Sequence, residues 1–304
     1  MSTLAVTNPE PSSTARSFQV RVVLAFFAIY ILWGTTFLAI RVAVEELPPV
    51  FAAGARFLIA GVALLGFMLL RGESNPTARQ WRNLFVLSLL MFVAEYGPLF
   101  WAEKFVPSGI VSVLAATIPI ITLVLEIFIL RQQKWRARLA AATLLGFGGV
   151  GILLLPGGPQ HFPLLPCLAI LCGCTTWSLG SVLSRSMDLP KARPVTAGAT
   201  MMLGGGILLM ISAGLGEMHP WPHVSLRAAE AMLYLIVFGS LLAYTAFVWL
   251  LAHMPATRVS SHAYVNPIVA VALGYFAAGE PVTMRTLAGT ALVLVSVFLI
   301  LRGK

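Results

Sequence analysis

The chain has 304 residues, 59% of them hydrophobic and only 10% charged, with a mean hydropathy of +0.90. Soluble chains carry about 25% charged residues, so a water-facing surface could not be covered here, and a soluble enzyme, a nucleic-acid binder and a secreted disulfide scaffold are excluded. The net charge of +9 is spread over short connections, which makes it a topology signal rather than a phosphate-binding stripe.

Residues 1–20, rich in Ser, Thr and Pro, are expected to form a disordered cytoplasmic tail. The apolar run that follows is too long for a secretory signal and lacks a small-residue cleavage site. Beyond the tail, apolar runs of about 20 residues, each able to cross about 30 Å of hydrocarbon, predict ten membrane helices. Their expected limits are 22–44, 49–70, 83–104, 107–130, 138–155, 163–184, 194–215, 230–252, 255–278 and 284–302. The connections are short, so the expected fold class is an all-α integral membrane protein without an extramembrane domain.

Lys and Arg set the orientation. The amino tail, the even-numbered connections and the carboxyl end hold about fifteen of the 20 basic residues, among them Arg71, Arg79, Arg131, Lys134, Arg136, Arg185 and Arg193. The odd-numbered connections hold Arg41, Lys104, Arg227 and Arg285. Such a bias places both termini in the cytoplasm and the 156–163 connection outside.

The second half repeats the first. At an offset of 148, Phe105–Leu154 overlays His253–Arg302 without a gap and matches at about 13 of 50 positions, including Pro107 with Pro255 and Pro119 with Pro267. The same offset pairs Tyr96 with Tyr244, and an offset of 144 pairs Trp33 with Trp177 and Arg41 with Arg185. The domain reading is therefore two five-helix repeats, 22–155 and 163–302. Five is odd, so the second copy crosses the membrane in the opposite sense. Inverted repeats of this kind characterise secondary transporters, whose binding sites lie near the midplane where the repeats meet.

The five-plus-five layout, Trp-Gly-Thr-Thr at 33–36 and the pattern Pro-Ala, Asn-Pro and Ala-Gly-Glu over 255–280 resemble the drug/metabolite transporter superfamily, specifically its EamA-type exporters. That resemblance covers about residues 22–302. It implies an exporter of amino acids, related metabolites or toxic compounds in the cytoplasmic (inner) membrane. The Gly279-Glu280 pair of the pattern is replaced by Arg131-Gln132 in the first repeat. Glu280 falls at a membrane edge and is read as structural.

Polar groups inside the spans are the candidate substrate pathway. Arg56 and Glu95 each lie about eight residues, roughly 12 Å of helical rise, from the same membrane face, so they are expected to meet. Neither charge is repeated in the second half, so the shared scaffold does not require them. Three readings stay open: a static ion pair, a role towards substrate or a coupling proton, and snorkelling of Arg56 to the surface. Glu126 is expected to pair with Arg131. His262 and Asn266 are four residues apart and share a helix face. Pro267, and its counterpart Pro119 beside Thr117, are expected to break spans nine and four and to bend them towards a central cavity. Trp33, Trp177, Tyr96 and Tyr244 lie mid-span, where aromatic faces serve packing or bind organic cations and flat apolar solutes. Trp81, Trp135 and Trp221 read as interfacial anchors.

Cys167, Cys172 and Cys174 read as small apolar residues without metal or redox chemistry. Gly148-Gly149-Val150-Gly151 and Gly204-Gly205-Gly206 read as close helix packing rather than phosphate loops. No cofactor, metal or nucleotide site is expected. The leading expectation is a secondary-active exporter of small metabolites or amphipathic drugs, with the lipid bilayer and a small-molecule substrate as its partners. A nucleotide-sugar or phosphorylated-metabolite exchanger would need several buried cations, and an intramembrane enzyme would need a clustered nucleophile, base or metal set.

Overall fold

A computed structural model of the chain describes residues 13–128, 137–154, 162–219 and 224–302. Arg131, Gln132, Lys134, Trp135, Arg136, most of the 156–163 connection and Trp221 lie outside the described residues. Every regular element among the described residues is helical. Among the described residues, seven helices are long and apolar enough to cross a membrane, and three further apolar stretches, Leu144–Leu153, Val265–Ala278 and Met284–Leu299, are shorter.

In chain order, α1 runs from Ser13–Phe27 through a π-helical turn at Ala28–Leu32 into Trp33–Glu46. It begins inside the segment expected to be a tail. Phe18 explains the extension, because its ring packs on Trp249 and His253, each at 5.8 Å between centroids. Helix α2 is Pro49–Leu70, with proline in its first turn, where no N–H partner is lost. Helix α3 joins Ala78–Ser88, a π turn at Leu89–Val93 and Ala94–Ala102. It starts several residues ahead of expectation because Thr77 and Gln80 form a capping box. Helix α4 joins Ser108–Ala115 and Ile118–Phe128, and α5 is Ala137–Leu154.

The second half follows the same order. It comprises α6 (Leu164–Leu183), α7 (Arg193–Gly214) and α8, which joins Leu226–Tyr234, a π segment at Leu235–Tyr244 and Thr245–His253. Helix α9 joins Ala256–Val259 and His262–Ala278, and α10 is Met284–Arg302.

The helices pair across the two halves. Helix α2 packs on α7 and α5 packs on α10, while α1 sits against α8 and α9, and α6 sits against α3 and α4. Glycine permits the closest of these contacts. A Cβ at Gly61 would fall 2.2 Å from the Met202 nitrogen, and one at Gly205 would fall 2.2 Å from the Leu58 nitrogen. Gly149 and Gly289 face one another in the same way between α5 and α10. The packing expected of the glycine clusters is thus found at Gly149, Gly204 and Gly205, whereas Gly148, Gly151 and Gly206 meet nothing within 4 Å. Large apolar side chains point outwards, Leu70 at 89% and Phe276 at 83% exposure. A water-facing surface does not tolerate such a coat.

The two prolines sit differently. Helix α4 breaks at 116–117, ahead of Pro119, which then falls in the first turn of Ile118–Phe128, where its missing N–H costs nothing. Helix α9 breaks at Ser260–Ser261, and Pro267 lies within the continuous segment His262–Ala278. Its ring crowds the carbonyl of Ala263 four residues back, and the turn immediately upstream leaves that first stretch free to adjust. Pro267 faces a groove shared with Ile268, Tyr275 and Leu287, away from the central cavity.

Candidate functional site: a central aromatic cavity

A cavity of about 50 Å³ lies where α1, α3, α4, α6 and α9 converge. From α1 it receives Trp33, Thr36 and Phe37, and from α3 it receives Glu95 and Tyr96. Ser112 and Ala115 come from α4, Trp177 from α6, and His262 and Asn266 from α9. Two π-helical turns sit directly before its key residues, Ala28–Leu32 before Trp33 and Leu89–Val93 before Glu95. A π turn inserts one extra residue into a helix and re-aims the side chains that follow it. Nothing in the sequence signals these turns.

The two tryptophans related by the 144 offset meet edge to face at 5.7 Å. Trp33 also lies 4.9 Å from the His262 ring, and Trp177 lies 5.9 Å from Tyr96 and 6.2 Å from Tyr244. The Trp33 Nε1–H donates to the Gly239 carbonyl at 3.1 Å, which satisfies the buried indole. Tyr244 hydrogen-bonds Thr200 at 3.1 Å and lines a second cavity of about 260 Å³, alongside Arg185, Arg193 and Thr196. Trp177, on the first cavity, and Tyr244, on the second, thus lie side by side.

His262 and Asn266 meet as their spacing requires. With the amide oriented by its surroundings, Asn266 Oδ1 accepts from His262 Nδ1 at 3.1 Å and Nδ2 donates to the Tyr30 carbonyl at 2.9 Å. That carbonyl belongs to the π turn of α1. The His262 Nε2 is left without a partner.

Arg56 and Glu95 do not pair. The one ion pair among the described residues is the exposed Arg227–Glu45, at 3.9 Å. Arg56 turns towards α8, where its Nε donates to Ser240 Oγ at 2.8 Å, and a Cβ at Gly239 would fall 2.5 Å from its guanidinium. The guanidinium also lies over the Phe57 and Tyr96 rings, at 4.6 and 5.5 Å. Glu95 turns the other way, against Gly173 of α6, and its Oε2 has no hydrogen-bond partner. The two helices bring these residues to a similar depth on different faces, and depth alone was legible. Arg56 is 1% exposed, so it does not snorkel.

Thr117 is buried and donates to the Leu114 carbonyl at 2.7 Å, closing the break in α4. It stays off the cavity wall. Glu126, expected to pair with Arg131, accepts from the Thr257 hydroxyl and backbone N–H at the start of α9. At the opposite end of the same helix pair, Glu280 accepts from Ser108 and Gly109 at the start of α4. Arg41 and Arg185, matched by the 144 offset, make matching contacts. Arg41 donates to the Glu103 carbonyl at the end of α3, and Arg185 donates to the Leu251 carbonyl near the end of α8. Glu103 and Leu251 are themselves 148 residues apart. Glu103 is fully buried, with neither carboxylate oxygen partnered. It escaped notice in the sequence because it sits at the end of a span, where an exposed acid is ordinary. Cys167 and Cys174 are buried as expected, and Cys172 faces outwards.

Residues 20–155 and again 164–302 match the EamA-like transporter family. The chain belongs to that family. Among curated relatives, the inner membrane transporter YedA of Escherichia coli (strain K12) is 36% identical over 284 residues, covering 92% of this chain and 90% of that protein. The protein PecM of Dickeya dadantii (strain 3937) is 30% identical over 283 residues, covering 91% and 90%. A solved crystal structure with 20% identity superposes with a TM-score of 0.67, covering 92% of this chain and 97% of that one, which establishes likeness of fold. In this EamA-like transporter, the central cavity thus lies among helices drawn from both matched segments.

Proposed function

We propose that this EamA-like chain is a secondary-active exporter of the inner membrane, moving small metabolites such as amino acids or amphipathic drugs through the central cavity by alternating access. The ten helices cross the bilayer as two inverted five-helix repeats with both termini in the cytoplasm. A buried cavity at the meeting of helices from both halves carries this reading, because transporters built from repeats bind substrate there. The helix-end contacts support it as well. Matched arginines at Arg41 and Arg185 serve opposite ends of the bundle when the halves are inverted.

The other expected chemistries find little support. Among the described residues no cation lines the central cavity, whereas a phosphorylated substrate would need several. No group of His, Cys, Asp or Glu among the described residues could hold a metal. A coupling proton, where one is used, has Glu95 and His262 as its carriers on the cavity wall.

Reconstitution into sealed vesicles tests the reading. Saturable, gradient-dependent movement of an exported solute, abolished by filling the cavity with Ala115→Leu, is the expected result. Non-saturable flux insensitive to Ala115→Leu would point to a channel instead.

A further inference from the structure

The hydrogen-bonding groups of the central cavity are strongly one-sided. The Thr36 hydroxyl hydrogen goes to the Trp33 carbonyl at 2.7 Å, and that of Ser112 goes to the Gly109 carbonyl at 2.6 Å. Both oxygens therefore meet the cavity as acceptors. The Trp33 N–H is taken by Gly239, and the Asn266 amide donates to the Tyr30 carbonyl. His262 holds its Nδ1 proton on Asn266, so its bare Nε2 is an acceptor too. Glu95 Oε2 is 4% exposed at the residue level and bare. The Tyr96 hydroxyl and the Trp177 ring N–H are the donors left on the wall.

Charge points the same way. Glu95 is the one carboxyl side chain among the described residues of the wall, placed to give up its proton to an incoming base. Arg56 is not on it, since its guanidinium lies behind Phe57 and Tyr96 and is tied to Ser240. The body of the cavity is aromatic, with Trp33, Phe37, Tyr96 and Trp177 presenting faces and edges. Such surfaces attract cations and flat apolar groups alike.

We infer that the substrate is a protonated organic amine with an aromatic or bulky apolar body, its ammonium directed at Glu95. A carboxylate-bearing solute without an ammonium would bring its charge to a wall where acceptors outnumber donors, while an ammonium supplies donors to those acceptors. The cavity, at about 50 Å³, is closed down around less than one such molecule, so the surrounding helices part to admit the substrate. This inference rests on the reading of the central cavity as the transport site.

The test is calorimetric titration of the full-length protein in lipid nanodiscs with three isosteres: 2-phenylethylammonium, neutral 2-phenylethanol and anionic phenylacetate. The ammonium binds saturably, the alcohol binds at least about tenfold more weakly, and phenylacetate does not bind, since a charge-assisted hydrogen bond exceeds a neutral one by roughly that factor. Glu95→Gln, which preserves shape, lowers ammonium affinity by about tenfold or more. Equal affinity for the alcohol and the ammonium, or for phenylacetate and the ammonium, overturns the inference on the wild-type protein alone. Ammonium affinity unchanged in a folded Glu95→Gln protein overturns it as well. Ala115→Leu separates the two levels. If it leaves ammonium binding intact, the cavity is not the site and the proposed function falls too. If it abolishes binding of all three isosteres and they bind the wild type equally, only the amine class falls.

Discussion

Glu280 accepts hydrogen bonds from the Ser108 backbone N–H and hydroxyl, each at 2.8 Å, and so ties the end of α9 to the start of α4. Gly279, in the left-handed conformation at φ 65°, ends α9 and turns the chain so that the carboxylate reaches back. At the other end of the pair, Glu126 of α4 does the same for Thr257 of α9. These carboxylates are not related by the 148 offset, which would match Glu280 with Gln132 and Glu126 with Gly274. The two halves reach equivalent ties from different positions. A carboxylate suits this task because it meets orphan N–H groups at the positive end of a helix.

Removing one tie should loosen one end of the bundle. Glu280→Ala leaves the Ser108 and Gly109 N–H groups without that acceptor and is expected to cost about 2–3 kcal/mol. Thermal unfolding of the purified protein, followed by the loss of monodisperse protein on heating, measures it. Glu280→Gln should retain part of the loss-free state, because the amide oxygen can accept one of the bonds. An unchanged unfolding temperature in Glu280→Ala would show that the tie contributes nothing.

Arg56 and Glu95 should behave independently. Each is seated against a glycine of a different helix, Gly239 for Arg56 and Gly173 for Glu95. In a double-mutant cycle, Arg56→Gln and Glu95→Gln are expected to add within about 0.5 kcal/mol. Rescue of folded protein in the double variant would mean that the charges meet after all.

Trp33→Phe keeps an aromatic ring beside Trp177 and His262 but removes the indole bond to the Gly239 carbonyl. Losing such a bond costs about 0.5–1.5 kcal/mol. A lower unfolding temperature together with weaker solute binding is the expected outcome. Trp177→Phe, whose N–H meets no acceptor among the described residues, should lower stability less.

The three consecutive glycines of α7 make a sharp internal comparison. Gly205→Ala drives a Cβ into the Leu58 backbone at 2.2 Å, so α2 and α7 must separate and folded yield should fall steeply. Gly206→Ala meets nothing within 4 Å and gains helix propensity, so it should be neutral or slightly stabilising. Similar yields for the two variants would contradict the close α2–α7 contact.

The sequence alone determined the class of the molecule, its helical segments and the internal repeat, because each depends on local composition or on positions compared along the chain. Apolar runs of membrane length leave a backbone few alternatives to helix, and the 148 offset needs no coordinates. It also picked out residues that converge, Trp33 with Trp177 and His262 with Asn266, since the repeat or the helical period relates them. Tertiary structure decided the rest. Depth along a helix does not reveal rotation about it, so Arg56 and Glu95 looked like partners until their directions were known. Pro119 and Pro267 marked strain in the chain, yet where each helix yielded depended on its neighbours. The buried Glu103, the π turns before Trp33 and Glu95, and the acceptor-lined wall carry no local signature. A donor or acceptor is spent or free only in relation to groups far away in the chain, such as the Gly239 carbonyl that takes the Trp33 proton.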